Sequence, residues 1–253
     1  FAAAPYTDAQ RNLVVLKPPY TVSPAAKELH ARLRVVDMHD DLLLWPRDPV
    51  ARSTRGSTDI PRLIDGNVAI EIFSTVSKTP RNQNYDSNTG ATDNITLLAV
   101  AERRPLKTWT SLLARAEWTA NKLKDAAERS NGTLVVVTTA PQLENELAAR
   151  ATGKPMLIGI LSLEGLQVLE GKIDNLRALY AMGFRMAGLA HFFDNEIAGS
   201  APGTAKVGLT PLGRDVVKKM EEKGIMVDFA HVSAKTVDEG MALAPKPVVV
   251  SHC

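Results

Sequence analysis

The sequence predicts an α/β fold of parallel βαβ units, and among such folds a (β/α)8 TIM barrel. Short β-branched segments alternate with segments whose apolar residues recur at helical spacing, from about residue 25 onward. Polar residues stand where the strand segments end, and that edge of a barrel carries the active site. The sequence has no Gly-x-Gly-x-x-Gly motif and no Walker-type loop, so nothing favours a nucleotide-binding sheet instead.

The predicted strands are short and apolar, and helical segments separate most of them. They lie at 34–38, 68–76, 133–137, 156–165, 184–191, 225–231 and 246–252. Pro105 interrupts the helical region 95–130. Gly183 predicts a helix C-cap, and Thr210 followed by Pro211 predicts a helix start. We expect the strand at 133–137 to be peripheral. The chain would then be truncated after about six of the eight strands of a barrel.

The composition is that of a globular protein and excludes some partners. The chain has 253 residues, of which 45% are hydrophobic and 23% are charged, with a net charge of +2. Because basic and acidic residues are mixed, no nucleic-acid or lipid-surface partner is expected. No apolar run is long enough for a transmembrane segment. Residues 1–24 are rich in proline and predict an N-terminal arm, and residues 25–253 predict a single barrel domain.

The compartment is only weakly indicated. Cys253 is the single cysteine, so no intrachain disulfide can form. The segment "FAAAP", which begins at Phe1, has the small residues of a signal-peptide cleavage region, although a shortened chain could begin in the same way. An exported or periplasmic location is slightly favoured over a cytoplasmic one.

The histidines form the clearest functional pattern. Four of the five histidines end a predicted strand, and Glu164 ends another. The four are His39, His191, His231 and His252. A single histidine in such a place is more often a hydrogen-bonded core residue than a ligand. Four together are hard to explain as chance, and buried charged groups need partners.

The alternation of side chains along a strand divides the acidic residues of "VVDMHDD" between two faces. Asp37, His39 and Asp41 share one face if the strand continues that far, and Asp40 faces away. Imidazole and carboxylate groups suit zinc or a related divalent metal. The candidate ligands are His39, Asp41, Glu164, His231 and His252. Five ligands exceed the three of a single catalytic zinc and fit two metals sharing a bridging carboxylate, with Glu164 as the natural bridge.

Five segments, taken in order, resemble the membrane (renal) dipeptidase family of zinc metallopeptidases, a branch of the amidohydrolase superfamily. They are "VVDMHDDLL", "LIDGNVAIEIFS", "LIGILSLEGLQVLEGKIDNLRALYAMGFRMAGLAHFFDNEIAGSA", "GIMVDFAHVSAKT" and "APKPVVVSHC". The resemblance covers about residues 34–253. It implies a TIM barrel of the metal-dependent hydrolase type and hydrolysis of dipeptides, including L-D dipeptides. The segment "FFDNEIAGS" resembles the substrate-side loop of bacterial members.

The resemblance implies particular roles. His39 and Asp41 would bind one zinc, His231 and His252 the second, and Glu164 together with a water or hydroxide would bridge the two. His191, which the strand pattern alone would group with the ligands, would instead bind the substrate and its tetrahedral intermediate. The metal-bridging hydroxide would attack the peptide bond.

The resemblance is incomplete, and other interpretations stay open. The family's carboxylate-binding arginine and proton-transfer aspartate are expected beyond Cys253, in an omitted C-terminal segment or a second chain that completes the barrel. The alternatives are a hydrolase of another amide or lactone, or a non-catalytic metal-stabilised fragment. A homodimer is also considered. Asp37 and Asp228 are predicted either to orient a ligand histidine or to form structural hydrogen bonds.

Overall fold

The computed structural model describes residues 3–253, so the first two residues of the predicted arm and of "FAAAP" lie outside the described residues. The helices are α1 (Ala3–Arg11), α2 (Pro24–Arg32), α3 (Ile60–Asp65), α4 (Asn94–Ala101), α5 (Lys107–Thr110), α6 (Leu112–Arg129), α7 (Ala140–Ala151), α8 (Asn175–Met182), α9 (Pro211–Lys223) and α10 (Ala234–Met241). The strands are β1 (Val35–Asp40), β2 (Val68–Phe73), β3 (Leu134–Val136), β4 (Leu157–Leu163), β5 (Phe184–Gly188) and β6 (Met226–Asp228).

The chain divides into two compact units. The first unit comprises Phe1–Phe73 and Lys122–Gly159, and the second comprises Ser74–Asn121 and Ile160–Cys253. Strand β4 and helix α6 each run from one unit into the other. Every strand pairing described within the units is parallel, as the alternation of strands and helices predicted.

The first unit is built on β1, β2 and the start of β4. Strand β1 pairs with β2, and β3 pairs with the first residues of β4, outside the main strand order. The peripheral position predicted for the strand at 133–137 is therefore confirmed. The aromatic ring of Phe73 packs closely over Gly159, where a Cβ atom would lie only 3.0 Å from the ring. This approach requires a residue without a side chain on β4.

Part of the predicted arm is a helix that packs on the first unit. In α1, Ala4 and Asp8 are buried, and a carboxylate oxygen of Asp8 lies 3.3 Å from Nε of Arg47. Arg55 donates a hydrogen bond of 2.9 Å to the carbonyl of Pro5. The arm is thus held by ion pairing and hydrogen bonding. The division into an arm and one barrel domain stays a prediction.

The second unit contains the end of β4 followed by β5 and β6. Leu161 to Leu163 of β4 pair with β5, and β5 pairs with β6. All seven residues of β4 are buried, because the strand is covered on both faces. The predicted strand at 246–252 is wrong in extent. Only Val249 forms a bridge, to Asp228 of β6, so the hydrogen bonding there is too short for a strand.

Local sequence signals fix the helix ends as predicted. Thr210 accepts a hydrogen bond from the backbone of Gly213 at the start of α9, with Pro211 in the first turn. Gly183 and Gly224 end α8 and α9 in left-handed conformation, with φ of 110° and 68°. Ser233 caps α10 in the same way as Thr210 caps α9. Among residues 3–253, no helix has the length and apolarity to cross a membrane.

Glu71 is a buried acid in the first unit that the sequence analysis did not single out. It lies on β2 opposite Asp37 of β1, is 0% exposed, and neither carboxyl oxygen has a hydrogen-bond partner among the described residues. Burial, reinforced by the charges of Asp40 and Asp37, raises the pKa of Glu71 to about 10. The folded protein therefore holds Glu71 in its neutral form at physiological pH.

We predict that Glu71→Gln stabilises the protein increasingly as the pH rises. In the unfolded chain the carboxyl ionises near its ordinary pKa, whereas in the folded chain it stays protonated up to about pH 10. Folding therefore takes up a proton between these values, and the free energy of unfolding falls by up to about 1.4 kcal/mol per pH unit. Glutamine has no ionisable carboxyl group, so the variant lacks this fall in the free energy of unfolding. Denaturant unfolding at pH 6, 7 and 8 should show a stability difference between variant and wild type that grows with pH.

The matched control is Glu144→Gln, which changes an exposed glutamate of α7 in the same unit. Its effect on unfolding should be small and independent of pH. A difference for Glu71→Gln that stays constant from pH 6 to pH 8 would contradict a protonated Glu71.

Candidate metal centre

Four of the residues predicted from strand ends meet in the second unit. Glu164 directly follows β4, and its backbone N–H donates to the carbonyl of Thr75 over 3.1 Å. His191 and His231 each lie three residues after a strand, β5 and β6 respectively. His252 follows the bridge at Val249. Because these strands are parallel, their carboxyl ends bring the side chains to one edge.

The imidazole nitrogens converge on a single carboxylate oxygen. Oε1 of Glu164 lies 2.9 Å from Nε2 of His231, 3.1 Å from Nε2 of His191 and 3.4 Å from Nε2 of His252. Nε2 of His231 lies 2.8 Å from Nε2 of His252. Two ring nitrogens this close need a proton or a cation between them. The cluster therefore has a position for a proton or a cation between these two imidazoles.

The electrostatics of the cluster favour the forms that bind metals. Burial alone would raise the pKa of Glu164, but the charge of His191 and the hydrogen bonds from His191 and His231 hold that pKa well below its usual range. Burial lowers the pKa of His231, because the imidazolium form is costly to desolvate. The carboxylate is therefore ionised and His231 is neutral, as metal ligation requires.

A hydrogen-bonded chain fixes the tautomer of His252. The Ser251 hydroxyl lies 2.5 Å from Oδ2 of Asp228 and 2.9 Å from Nδ1 of His252. Because the carboxylate can only accept, Ser251 donates to Asp228 and accepts from Nδ1–H of His252. This leaves Nε2 of His252 with its lone pair directed at the cluster. Asp228, considered as an orienting partner from sequence, acts through Ser251.

A second serine binds the backbone of two cluster histidines through its hydroxyl group. The buried Ser200 hydroxyl contacts the carbonyl oxygens of His191 and His231, the latter over 3.2 Å. The backbone N–H of Ala201 also donates to the carbonyl of His231 over 2.7 Å. His231 has a φ of 65°, in the left-handed region that costs energy for a residue with a side chain. These contacts hold His231 in that conformation.

His191 is bound on both sides of its ring. Nδ1 lies 3.3 Å from the carbonyl oxygen of Lys78, and Nε2 faces Glu164. Its side chain is 4% exposed. The geometry therefore places His191 slightly farther from the carboxylate oxygen than His231, at 3.1 Å against 2.9 Å.

The first unit holds the other two predicted ligands. His39 lies in β1, which ends at Asp40, so Asp41 follows the strand and begins a short 3₁₀ turn over Leu42–Leu44. Nε2 of His39 is 3.6 Å from Oδ1 of Asp41. Asp37 accepts a hydrogen bond of 3.0 Å from the backbone N–H of His39, which is a local structural role.

Asp40 has separate contacts within the same unit. Its Oδ1 accepts from the backbone N–H of Leu42, and its carboxylate also bonds the side chain of Thr58. Burial raises the pKa of Asp40, with a smaller contribution from the neighbouring Asp41 and Asp37 charges. These contacts engage the Asp40 carboxylate with the first unit's own backbone and leave Asp41 as the partner of His39.

The donor set in both units fits a divalent metal such as zinc. In the second unit, Glu164, His191 and His231 each offer a ligand atom, and these atoms all lie within 4.8 Å of one another. Imidazole nitrogen with carboxylate oxygen is the ligand chemistry of catalytic zinc sites. In the first unit, the buried Oδ1 of Asp41 has no hydrogen-bond partner among residues 3–253. A buried carboxylate oxygen without a donor is suited to a cation.

The sequence analysis missed Ser200 and Ser251. Ser251 directly precedes His252 in "VVVSH", and a hydroxyl beside a candidate ligand was a signal that could have been followed. Ser200 lies in the irregular segment after His191, where no periodicity predicts the direction of a side chain. Only the folded chain brings it against His231.

Comparisons with known proteins find relatives that are described as dipeptidases. A family described as membrane dipeptidase (peptidase family M19) matches residues 24–253. An uncharacterized dipeptidase of Schizosaccharomyces pombe is 35% identical over 95 residues, which are 37% of this chain and 23% of that protein. A second uncharacterized dipeptidase of that organism is 25% identical over 247 residues, covering 89% of this chain and 53% of its own length.

A solved structure shows the likeness of fold. The metallo peptidase from Rhodobacter sphaeroides liganded with a phosphinate mimic of the dipeptide L-Ala-D-Ala superimposes with a TM-score of 0.63. The match covers 87% of this chain and 65% of that one at 22% sequence identity. The predicted α/β fold of parallel βαβ units is confirmed.

The fold is that of an α/β protein built from parallel βαβ units, and one edge of its sheet carries an imidazole–carboxylate cluster. The match over residues 24–253 then identifies the family, and the chain belongs to the membrane dipeptidase family, peptidase family M19. The chain spans about half or less of the length of the curated relatives described above.

The chain from Asp228 through Ser251 predicts the protonation of His252. In the metal-free protein, His252 should carry its proton on Nδ1, because Ser251 Oγ accepts there. Long-range ¹H–¹⁵N NMR of the imidazole should show this tautomer. Ser251→Ala should shift the population toward the Nε2–H form, while Ser251→Thr, which keeps the hydroxyl, should retain Nδ1–H. An Nε2–H tautomer in the wild type would contradict the hydrogen-bonded chain.

Proposed function

We propose that the protein is a zinc-dependent dipeptidase that hydrolyses the peptide bond of dipeptides. The observation that carries this proposal is the convergence of three imidazole Nε2 atoms within 3.4 Å of one Glu164 oxygen. Family membership supports peptide hydrolysis as the reaction. The Rhodobacter sphaeroides structure holds a mimic of L-Ala-D-Ala, which supports dipeptides with a D-residue as substrates.

The residues of the second unit divide into ligands and a substrate group. Glu164, His231 and His252 would hold a zinc ion. Ser251 directs Nε2 of His252 toward that position, and Ser200 fixes the backbone of His231. As an imidazolium, His191 would donate a hydrogen bond from Nε2–H to the oxygen of the scissile carbonyl, while its Nδ1–H is donated to the backbone carbonyl of Lys78. The charge that develops on that oxygen in the transition state would strengthen this bond.

A second zinc would be held by His39 and Asp41, with Glu164 as the bridging carboxylate. Oδ1 of Asp41 lies 3.6 Å from Nε2 of His39 and has no hydrogen-bond donor among the described residues, which supports the first part of this assignment. The bridging role of Glu164 rests on the resemblance to the family. Bound divalent metals would supply Lewis acidity toward the scissile carbonyl and would lower the pKa of water at the site. The dimer and the completing segment considered above stay predictions.

We predict that Glu164→Gln strongly weakens zinc binding. The amide cannot supply the negative charge that the three imidazoles now surround, so the loss of affinity should exceed the roughly 10- to 100-fold typical of outer partners. Zinc per protein, measured by mass spectrometry after dialysis against graded chelator, tests this. Asp40→Asn is the matched control, because Asn keeps an oxygen for the Leu42 N–H. Equal zinc loss in both variants would contradict the assignment.

His191→Ala should separate the catalytic role from ligation. If His191 binds the substrate oxygen, kcat should fall by about 100-fold or more, with zinc content close to that of the wild type. The measurement is steady-state kinetics with a dipeptide, combined with metal analysis of the same sample. A loss of zinc that parallels the loss of activity would make His191 a ligand and contradict the proposed role.

Assays of the same protein test two other functions. A panel of L-L and L-D dipeptides, other amides and lactones distinguishes the dipeptidase from a hydrolase of another amide or lactone. Turnover of lactones without turnover of any dipeptide would favour the hydrolase of another amide or lactone. If the protein binds no zinc and hydrolyses none of these compounds, only a non-catalytic role remains for the fold.

A further inference from the structure

An exposed aromatic residue stands close to the cluster in the second unit. Tyr85 is 89% exposed, and its ring centroid lies 6.1 Å from that of Phe192, at an angle of 49° between the ring planes. An aromatic side chain this exposed buries little area, so it adds little to folding stability. Its position beside Phe192 therefore points to a role in binding.

The turn that carries Tyr85 is closed by its own hydrogen bonds. Oδ1 of Asn84 accepts from the backbone N–H groups of Asp86 and Ser87, over 2.9 Å and 2.8 Å. Nδ2 of Asn88 donates to the carbonyl of Asn84 over 2.7 Å, and Oδ1 of Asn88 accepts from the backbone N–H of Asn84 over 2.9 Å. Tyr85 thus lies at the tip of a turn that is pre-organised by two asparagines.

The turn is also anchored to the segment that follows His191. The backbone N–H and Nδ2 of Asn88 both donate to the carbonyl of Pro202, over 2.8 Å and 3.0 Å. Asn88 itself is buried. Because the anchor is made by backbone and buried amide groups, the position of Tyr85 does not depend on its own side chain. Replacing that side chain should leave the turn in place.

Phe192 continues the aromatic surface to the histidines. Its ring centroid is 4.8 Å from that of His191, in an edge-on arrangement, and 5.2 Å from that of His231. Phe192 is 9% exposed. Tyr85 and Phe192 therefore form an apolar wall that begins in solvent and ends at the imidazole proposed to bind the scissile carbonyl.

We propose that Tyr85 and Phe192 form a subsite that selects dipeptides with an apolar side chain. The inference rests on the proposed dipeptidase function and specifies its substrate class. A side chain of a substrate held at His191 would lie against Phe192, and Tyr85 would cover its far end. Two aromatic rings offer apolar contact area, and they offer no ion-pair partner for a charged side chain.

The test compares kcat/KM for Leu-Leu and Ala-Ala in the wild type, Tyr85→Ala and Tyr85→Phe. The ratio of kcat/KM for Leu-Leu to that for Ala-Ala should fall by about 10-fold in Tyr85→Ala, within the range for lost apolar contact in a pocket. Tyr85→Phe should retain the ratio, because it keeps the ring. Tyr20→Ala, which changes an exposed tyrosine of the first unit, is the matched control and should not alter the ratio.

The outcomes separate this inference from the proposed function. Hydrolysis of both dipeptides with an unchanged ratio in Tyr85→Ala would overturn the subsite and leave the dipeptidase proposal standing. An equal fall in the ratio for Tyr20→Ala would also overturn it. A wild type that hydrolyses neither dipeptide, when loaded with zinc, would overturn both proposals.

Discussion

The buried carboxylate of Glu164 is the constraint on which the second unit depends. A charged group out of water costs several kcal/mol unless other charges or hydrogen bonds compensate it. His191 and His231 supply the compensation through one oxygen, and His252 lies 3.4 Å from the same oxygen. The elements that carry those imidazoles must therefore end at the same edge, which parallel strands provide. The need to bring imidazoles to Glu164 therefore constrains both the fold and the chemistry of the site.

Each histidine of the cluster is in turn held by a further group. Ser251 and Asp228 orient His252, Ser200 fixes the backbone at His231, and the Lys78 carbonyl faces Nδ1 of His191. The left-handed backbone of His231 shows that the arrangement is kept at some local cost. Such a supported cluster is pre-organised, so binding a metal requires little rearrangement of the ligands.

The sequence predicted the strands, the helix ends and the cluster residues because these depend on local patterns. Apolar runs locate β4 and β5, and the sequence Thr210-Pro211 marks the start of α9. The last strand was predicted too long because "KPVVVSH" has β-branched residues, whereas strand formation depends on hydrogen-bond partners far away in sequence. Likewise, the neutral Glu71 and the contacts of Ser200 follow from burial and tertiary packing, which no local pattern encodes.

The central claim is that Glu164, His231 and His252 bind a divalent metal, and X-ray absorption at the zinc edge tests it most directly. The zinc-loaded protein should show nitrogen and oxygen scatterers at about 2.0–2.2 Å together with the outer-shell scattering of imidazole rings. The imidazole contribution should decrease in a His231→Ala, His252→Ala double variant. A first shell of oxygen alone, or imidazole scattering that is unchanged in the double variant, would contradict the account.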